Sequence, residues 1–177
     1  MSRILVIEDD TLVGRTIAAH LKKKGYELKL VETGEGGLKA YKEFQPDLTL
    51  LDVKLPDLNG LEVLRQIKQF DKNAAVVVMT AFDDMRTTVE AIKAGAFEYL
   101  VKPLNYLELD LTMDKAFQLK ALEEKVSYLI EEKQKEYQID NIIGRSPQMR
   151  EVFKMIGSVA NTRTNVLIQG ESGTGKE

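Results

Sequence analysis

The chain has 177 residues, 44% of them hydrophobic and 30% charged, with a net charge of −3, 12 Gly, 4 Pro, no Cys and a single His. This composition supports one buried core plus an appendage and excludes disordered and fibrous chains. The missing cysteines exclude disulfide scaffolds, thiolate zinc sites and cysteine nucleophiles, the lone His20 excludes histidine-cluster metal sites, and the acidic balance leaves no footprint for nucleic acid.

In chain order, Met1-Ser2-Arg3 leads into the apolar run Ile4–Ile7, which is followed at once by Glu8-Asp9-Asp10. Further runs at Leu28–Val31, Leu48–Leu51, Ala75–Met79 and Tyr99–Val101, most of them rich in β-branched residues or Leu, predict buried strands. Between them helical periodicity covers Leu12–Leu21, Leu38–Phe44, Leu61–Ile67 and Met85–Ala94. Lys22-Lys23-Lys24-Gly25 and Gly95 mark helix C-termini, and Thr33, Asn59 and Asp83 or Asp84 are candidate N-caps. Five repeats of strand then helix predict an α/β fold with a doubly wound parallel sheet. His20 lies on the first helix and is expected to be a solvated surface residue.

Beyond Asn105 the pattern changes. Leu107 to Tyr137 is almost free of breakers, which predicts that the fifth helix runs on past the domain. Leu119, Leu122, Val126 and Leu129 form a short a/d seam; it suits either an amphipathic helix lying on its own domain or a coiled coil. The charged stretches Glu123-Glu124-Lys125 and Glu131-Glu132-Lys133 favour a protruding helix that pairs with a second copy. A third segment opens at Ile142-Ile143-Gly144, with a helix expected around Met149–Val159 and a strand signal at Asn165–Ile168. No apolar run approaches the ~18–20 residues of a membrane span, so a cytoplasmic, unprocessed protein is expected.

Ligands of an open α/β sheet bind at the carboxyl ends of its strands. There the sequence places Glu8 and Asp9, then Asp52, Thr80, and Lys102 followed by Pro103. Two carboxylates ~5 Å apart repel by roughly 3 kcal/mol at an effective dielectric of ~20, so three of them on one rim call for cations. Lys102 supplies one charge and a hard divalent ion such as Mg²⁺ or Mn²⁺ the rest. A metal so held recruits a phosphoryl oxygen, and a neighbouring carboxylate can attack the phosphorus to give an acyl phosphate. Helix capping alone would explain Asp9 or Asp10, but not acid, acid, hydroxyl and Lys-Pro at four strand ends.

These residues make residues 3–120 resemble the receiver domain of bacterial response regulators. The resemblance is carried by Ile4-Leu5-Val6-Ile7-Glu8-Asp9-Asp10, Pro46-Asp47-Leu48-Thr49-Leu50-Leu51-Asp52, Leu55-Pro56-Asp57-Leu58-Asn59-Gly60, Val78-Met79-Thr80-Ala81 and Tyr99-Leu100-Val101-Lys102-Pro103. It implies a flavodoxin-like strand order of 2-1-3-4-5, Asp52 as phosphoacceptor, and Mg²⁺ held by Glu8, Asp9, Asp52 and the Lys54 carbonyl. It further implies that Lys102 pairs with phosphoryl oxygens, that Thr80 and Tyr99 form the switch, and that Lys102–Pro103 is cis. Asp10 is an alternative member of the acidic pair, which spacing to Asp52 disfavours. Pro56 and Gly60 read as loop punctuation, Gly60 supplying room near the site.

Gly170-Glu171-Ser172-Gly173-Thr174-Gly175-Lys176-Glu177 follows an apolar run as a phosphate-binding loop does, with Gly170, Gly173, Gly175 and Lys176 as the nucleotide-binding residues. Together with Ile142-Ile143-Gly144-Arg145-Ser146 it resembles the opening of the AAA+ domain of NtrC/DctD-type sigma-54-dependent transcription activators. That implies three parts: a receiver over 1–120, a dimerising coiled-coil-like linker over 121–140, and an incomplete ATPase segment over 141–177. The implied partners are a sensor histidine kinase and a second copy, docking through the linker or the face of the fourth helix, fifth strand and fifth helix. Sigma-54 RNA polymerase, DNA and ATP would engage only the longer regulator, so no ATPase activity is expected from these residues alone. A haloacid-dehalogenase-type phosphatase would need an acid where Lys54 stands. A flavodoxin-like cofactor carrier would need a hydroxyl- and Gly-rich cradle where Glu8-Asp9-Asp10 stands.

Overall fold

Alternation along the apolar runs decides which side chains enter which core, because successive residues of a strand point to opposite faces of its sheet. The computed structural model describes residues 2–81, 85–136, 146–160 and 165–169. Five parallel strands form its sheet: β1 (Arg3–Ile7), β2 (Glu27–Val31), β3 (Leu48–Asp52), β4 (Val76–Ala81) and β5 (Glu98–Lys102), in the order β2-β1-β3-β4-β5. The expected α/β fold and strand order are therefore observed. Helices α1 (Thr11–Lys23), α2 (Gly34–Phe44), α3 (Gly60–Phe70) and α4 (Met85–Lys93) link the strands, and α5 (Tyr106–Glu136) follows the last one.

Each face of the sheet has its own apolar core. Ile4, Val6, Leu48, Leu50, Val77 and Met79 pack with Ile17 and Leu21 of α1 and with Leu109, Met113 and Ala116 of α5. Their neighbours Leu5, Ile7, Leu51, Val76 and Val78 pack with Ala40, Leu64, Ile67 and Ala91 of α2, α3 and α4. Fully burying one such Leu or Ile is worth about 1.5–3 kcal/mol, so the two layers lock the register that brings the strand ends to one rim.

The helix boundaries follow their caps. Thr33 and Asn59 cap α2 and α3 as expected, accepting hydrogen bonds from Gly36 N–H and Leu61 N–H. The candidate caps Asp83 and Asp84 lie outside the described residues. The helix ends at Lys24 and Ala94 are each followed by a glycine at positive φ, Gly25 at 86° and Gly95 at 92°, a backbone state that costs glycine little.

Two expectations are corrected. His20 is half-buried rather than solvated: its Nε2 lies 2.9 Å from Asp110 Oδ1, its ring centroid is 4.5 Å from that of Tyr106, and Lys24 Nζ meets Asp110 Oδ2 at 2.6 Å. A charged and an aromatic group of α5 thus flank it. Residues 165–169 form no strand, because a strand needs a neighbour to pair with and no described residue offers one.

The chain divides into two compact units, Met1–Val126 and Ser127–Glu177. As expected from the breaker-free stretch, α5 runs unbroken from Tyr106 to Glu136, and Leu119, Leu122, Val126 and Ile130 along it are exposed. The side chain of Leu129 lies outside the described ones. In the second unit α6 (Pro147–Val159) is capped by Ser146, whose Oγ accepts the Met149 N–H at 3.2 Å.

Candidate functional site

The ends of β1, β3, β4 and β5 place the chemistry. Ile7 of β1 is in register with Leu51 of β3, so Glu8 comes abreast of Asp52. Asp52 is in register with Met79 and Ala81 with Lys102, so Thr80 and the lysine complete the same rim. The buried strands deliver these polar groups into a nearly dry setting: Glu8 is 0% exposed, Asp52 5% and Thr80 4%.

The lysine spans both acids. Lys102 Nζ donates to Glu8 Oε1 at 2.7 Å and to Asp52 Oδ2 at 2.6 Å. The Lys102–Pro103 peptide that follows is cis, as the resemblance implied. The second oxygen of Asp52, Oδ1, accepts the Lys54 N–H at 3.2 Å. The Asp52 carboxylate is thus held from both sides, by the loop on one oxygen and by β5 on the other.

One atom has no such support. Glu8 Oε2 is buried without a hydrogen-bond partner. A buried, unsatisfied carboxylate oxygen costs free energy, and burial is the main reason the Glu8 carboxyl is pushed up to about 7; the Lys102 hydrogen bond opposes it and the Asp52 charge adds to it. Burial by itself would pull Lys102 down, but its hydrogen bonds to Asp52 and Glu8 outweigh that and hold it above its ordinary value.

The donor set fits a hard divalent cation. Glu8, Asp9 and Asp52 each offer an oxygen, and the three lie within 4.8 Å of one another. Asp9 is exposed, which leaves the cluster an open side toward solvent. Oxygen ligands with room for water suit Mg²⁺, and a bound cation would satisfy the orphaned Glu8 oxygen. Asp10 does not belong to this group: its Oδ1 accepts from Leu12 N–H at 2.8 Å and Val13 N–H at 3.1 Å and caps α1.

Gly60 makes the close approach possible. A Cβ there would run into the Asp52 carbonyl oxygen and lie 2.7 Å from Val53 Cα, so only glycine lets α3 begin against the end of β3. Thr80 Oγ1 donates to the Ala81 carbonyl at 3.5 Å. Tyr99 is 37% exposed on β5. The sequence-predicted Gly170, Gly173, Gly175 and Lys176 lie outside the described residues.

Sequence reasoning missed Asp57, whose carboxylate accepts from Gly34 N–H at 2.7 Å and Glu35 N–H at 2.9 Å at the start of α2. Asp57 stands where a loop acid is expected, and nothing local marks it as the cap of a helix that precedes it in the chain.

The model of the response regulator receiver domain family matches residues 4–114, and that of the sigma-54 interaction domain matches residues 142–177. Regulatory protein AtoC of Escherichia coli (strain K12) is 32% identical over 177 residues, which is 100% of this chain and 38% of that protein. Transcriptional regulatory protein ZraR of Klebsiella oxytoca is 38% identical over 174 residues, 98% of this chain and 38% of that protein. The chain therefore spans 38% of the length of these relatives. A crystal structure of a response regulator receiver domain protein from Clostridium thermocellum superposes with a TM-score of 0.67 at 32% identity, covering 69% of this chain and 98% of that one. With the acid rim, the bridging lysine and the 2-1-3-4-5 sheet all in place, this chain belongs to the response regulator receiver family and carries the start of a sigma-54 interaction domain.

Proposed function

We propose that this chain is the regulatory part of a two-component response regulator, phosphorylated on Asp52 by a partner histidine kinase in a Mg²⁺-dependent step. The observation that carries the reading is the buried pair Glu8 and Asp52 with the half-buried Lys102 bridging both acids at 2.6–2.7 Å and Glu8 Oε2 left for a cation. When bound, Mg²⁺ would be held by Glu8, Asp9, Asp52 and the Lys54 carbonyl and would neutralise phosphoryl charge.

The side chains divide the work. Asp52 presents a carboxylate oxygen to phosphorus; the new O–P bond forms as the bond to the donor imidazole nitrogen breaks, and the imidazole keeps the electron pair. Lys102 already lies at hydrogen-bond distance from Asp52 and so stands ready to neutralise an incoming phosphoryl oxygen without reorganisation. Thr80, buried at the neighbouring strand end, supplies a hydroxyl that can turn to the phosphoryl group, and Tyr99 moves with it. Catalysis beyond this self-phosphorylation and its reversal by water is not assigned to these residues.

The rest of the proposal is regulatory. The change at Thr80 and Tyr99 passes through α4, β5 and α5, and the continuous α5 carries it to the ATPase of the longer, cytoplasmic regulator. Dimerisation through the Leu119, Leu122 and Val126 stripe or the α4–β5–α5 face makes the switch a property of two copies. Sigma-54 RNA polymerase, DNA and ATP are engaged by parts of that regulator beyond this chain's receiver. Among the described residues, no helix is long and apolar enough to cross a membrane.

Intact mass after incubation with Mg²⁺ and acetyl phosphate tests the reading, with Asp52→Asn alongside. Gain of one phosphoryl group by the wild type alone, abolished by chelation, is the expected result. No gain in either protein overturns it.

A further inference from the structure

Asp57 lies at the crest of the loop between β3 and α3, exposed to solvent, yet both its oxygens are engaged. They accept the first two N–H groups of α2, Gly34 to Oδ1 at 2.7 Å and Glu35 to Oδ2 at 2.9 Å. Thr33, the local cap, accepts from Gly36 N–H at 3.1 Å, so α2 carries two independent caps, one of which arrives from another element. The approach is close: a Cβ on Gly34 would stand 2.9 Å from Leu58 Cβ and from Val63 Cγ2. The Glu35 and Gly34 N–H groups hold the Asp57 carboxyl below its ordinary range, so it carries the negative charge that a helix N-terminus favours.

The same loop orients the phosphoacceptor. Its Lys54 N–H donates to Asp52 Oδ1 at 3.2 Å, and Lys54 pairs with Asn59 across the base of the loop. That base is tied down by Gly60 N–H to the Val53 carbonyl at 2.8 Å and by the Asn59 cap on Leu61 N–H at 2.8 Å. Toward the crest, the Asp57 carboxylate supplies the tie to α2. An exposed loop held only at its base would let the Lys54 peptide tilt, and a tilt of that peptide releases one of the two groups that hold the Asp52 carboxylate.

We propose that Asp57 is a positioning residue for phosphoryl transfer, clamping the loop crest to α2 so that the Lys54 peptide is kept against Asp52. The inference rests on the proposed function for its consequence, since the Lys54 carbonyl is also the backbone ligand assigned to Mg²⁺. A merely structural cap would cost α2 some stability and leave Lys54 unaffected.

The test compares ¹H–¹⁵N spectra of metal-free wild type, Asp57→Ala, Asp57→Asn and Thr33→Ala, followed by Mg²⁺ titration of the same samples. Thr33→Ala removes the other cap of α2 without touching the loop. Asp57→Ala is expected to shift the Lys54 amide and weaken Mg²⁺ binding by about tenfold, the scale on which outer-shell partners tune metal sites. Asp57→Asn should move both in the same direction by less, and Thr33→Ala should move neither; wild-type shifts for Leu28–Val31 verify the fold. Should Asp57→Ala fail to fold, Asp57→Asn decides by the same two readouts. An unmoved Lys54 amide in the Asp57 variants, or an equal shift in Thr33→Ala, overturns the proposal. A wild type that neither binds Mg²⁺ nor gains a phosphoryl group instead overturns the proposed function, while the Lys54 shift still decides the clamp.

Discussion

Replacing Glu8 with Gln exchanges a buried, titrating carboxylate for a shape that cannot ionise. In the wild type, burial above all raises the Glu8 carboxyl from 4.5 to about 7. The unfolded chain loses this proton near 4.5 whereas the folded chain keeps it to about 7, so between those values the unfolded state binds fewer protons and stability falls as pH rises. Each pH unit in the window is worth about 1.4 kcal/mol, and metal-free wild type should lose about 3 kcal/mol from this group between pH 5 and pH 8. The Gln variant has no such loss. Urea unfolding followed by circular dichroism in EDTA, at steps from pH 5 to pH 8, gives the stability of each protein. The difference, wild type minus variant, should fall by about 3 kcal/mol and level off above pH 7. A flat difference would refute the reasoning, because it would mean that Glu8 is solvated or that Lys102 alone compensates it. In the wild type Mg²⁺ affinity should rise with pH up to about 7, since the metal binds the ionised carboxylate.

Three further outcomes are expected. Asp47→Ala leaves Arg3 N–H without its acceptor at 2.8 Å and Lys120 without its partner at 2.6 Å, and should cost about 1–3 kcal/mol at pH 7 in urea unfolding. Although burial raises the Asp47 carboxyl, hydrogen bonds from Lys120 and Arg3 outweigh it and hold it low, so its contribution is present above 3.8 and lost as pH falls through the lower folded value; the gap to the variant should close in acid. Gly60→Ala forces a methyl group into the backbone of Asp52 and Val53 and should cost at least about 1–3 kcal/mol, read as a lower Tm together with lost phosphoryl gain; an unchanged Tm would contradict the packing. Leu122→Asp combined with Val126→Asp should sediment as a monomer if the exposed stripe of α5 joins two copies, and a persisting dimer would move the interface to the α4–β5–α5 face.

Local pattern made most of the sheet legible. Runs such as Ile4–Ile7 and Leu48–Leu51 announce strands because apolar side chains in a doubly covered sheet face a core on both sides, and the residues just after them are then the site by geometry. Helix α2 shows where this stops. Periodicity is visible only from Leu38, because glycines carry no apolar signal and little helix propensity, and the Thr33 cap was the one local mark of the start at Gly34. Beside that local cap, its first turn is held by the Asp57 carboxylate and by the close packing of Gly37 on Ile7, which only the assembled fold supplies.

The apolar runs, the strand-ending acids and the Lys102-Pro103 pair determined by themselves that this is a five-stranded α/β domain with an acidic rim and a lysine at the same edge. Those are properties of near neighbours along the chain, where periodicity and turn chemistry act. Tertiary structure alone decided that Lys102 takes one oxygen from each acid, that Glu8 Oε2 is stranded, that His20 is flanked by Asp110 and Tyr106, and that Asp57 serves a helix earlier in the chain. Each depends on atoms brought within 3 Å or buried together by packing between distant segments, and burial, which sets the Glu8 titration, is a property of the whole fold rather than of any stretch of sequence.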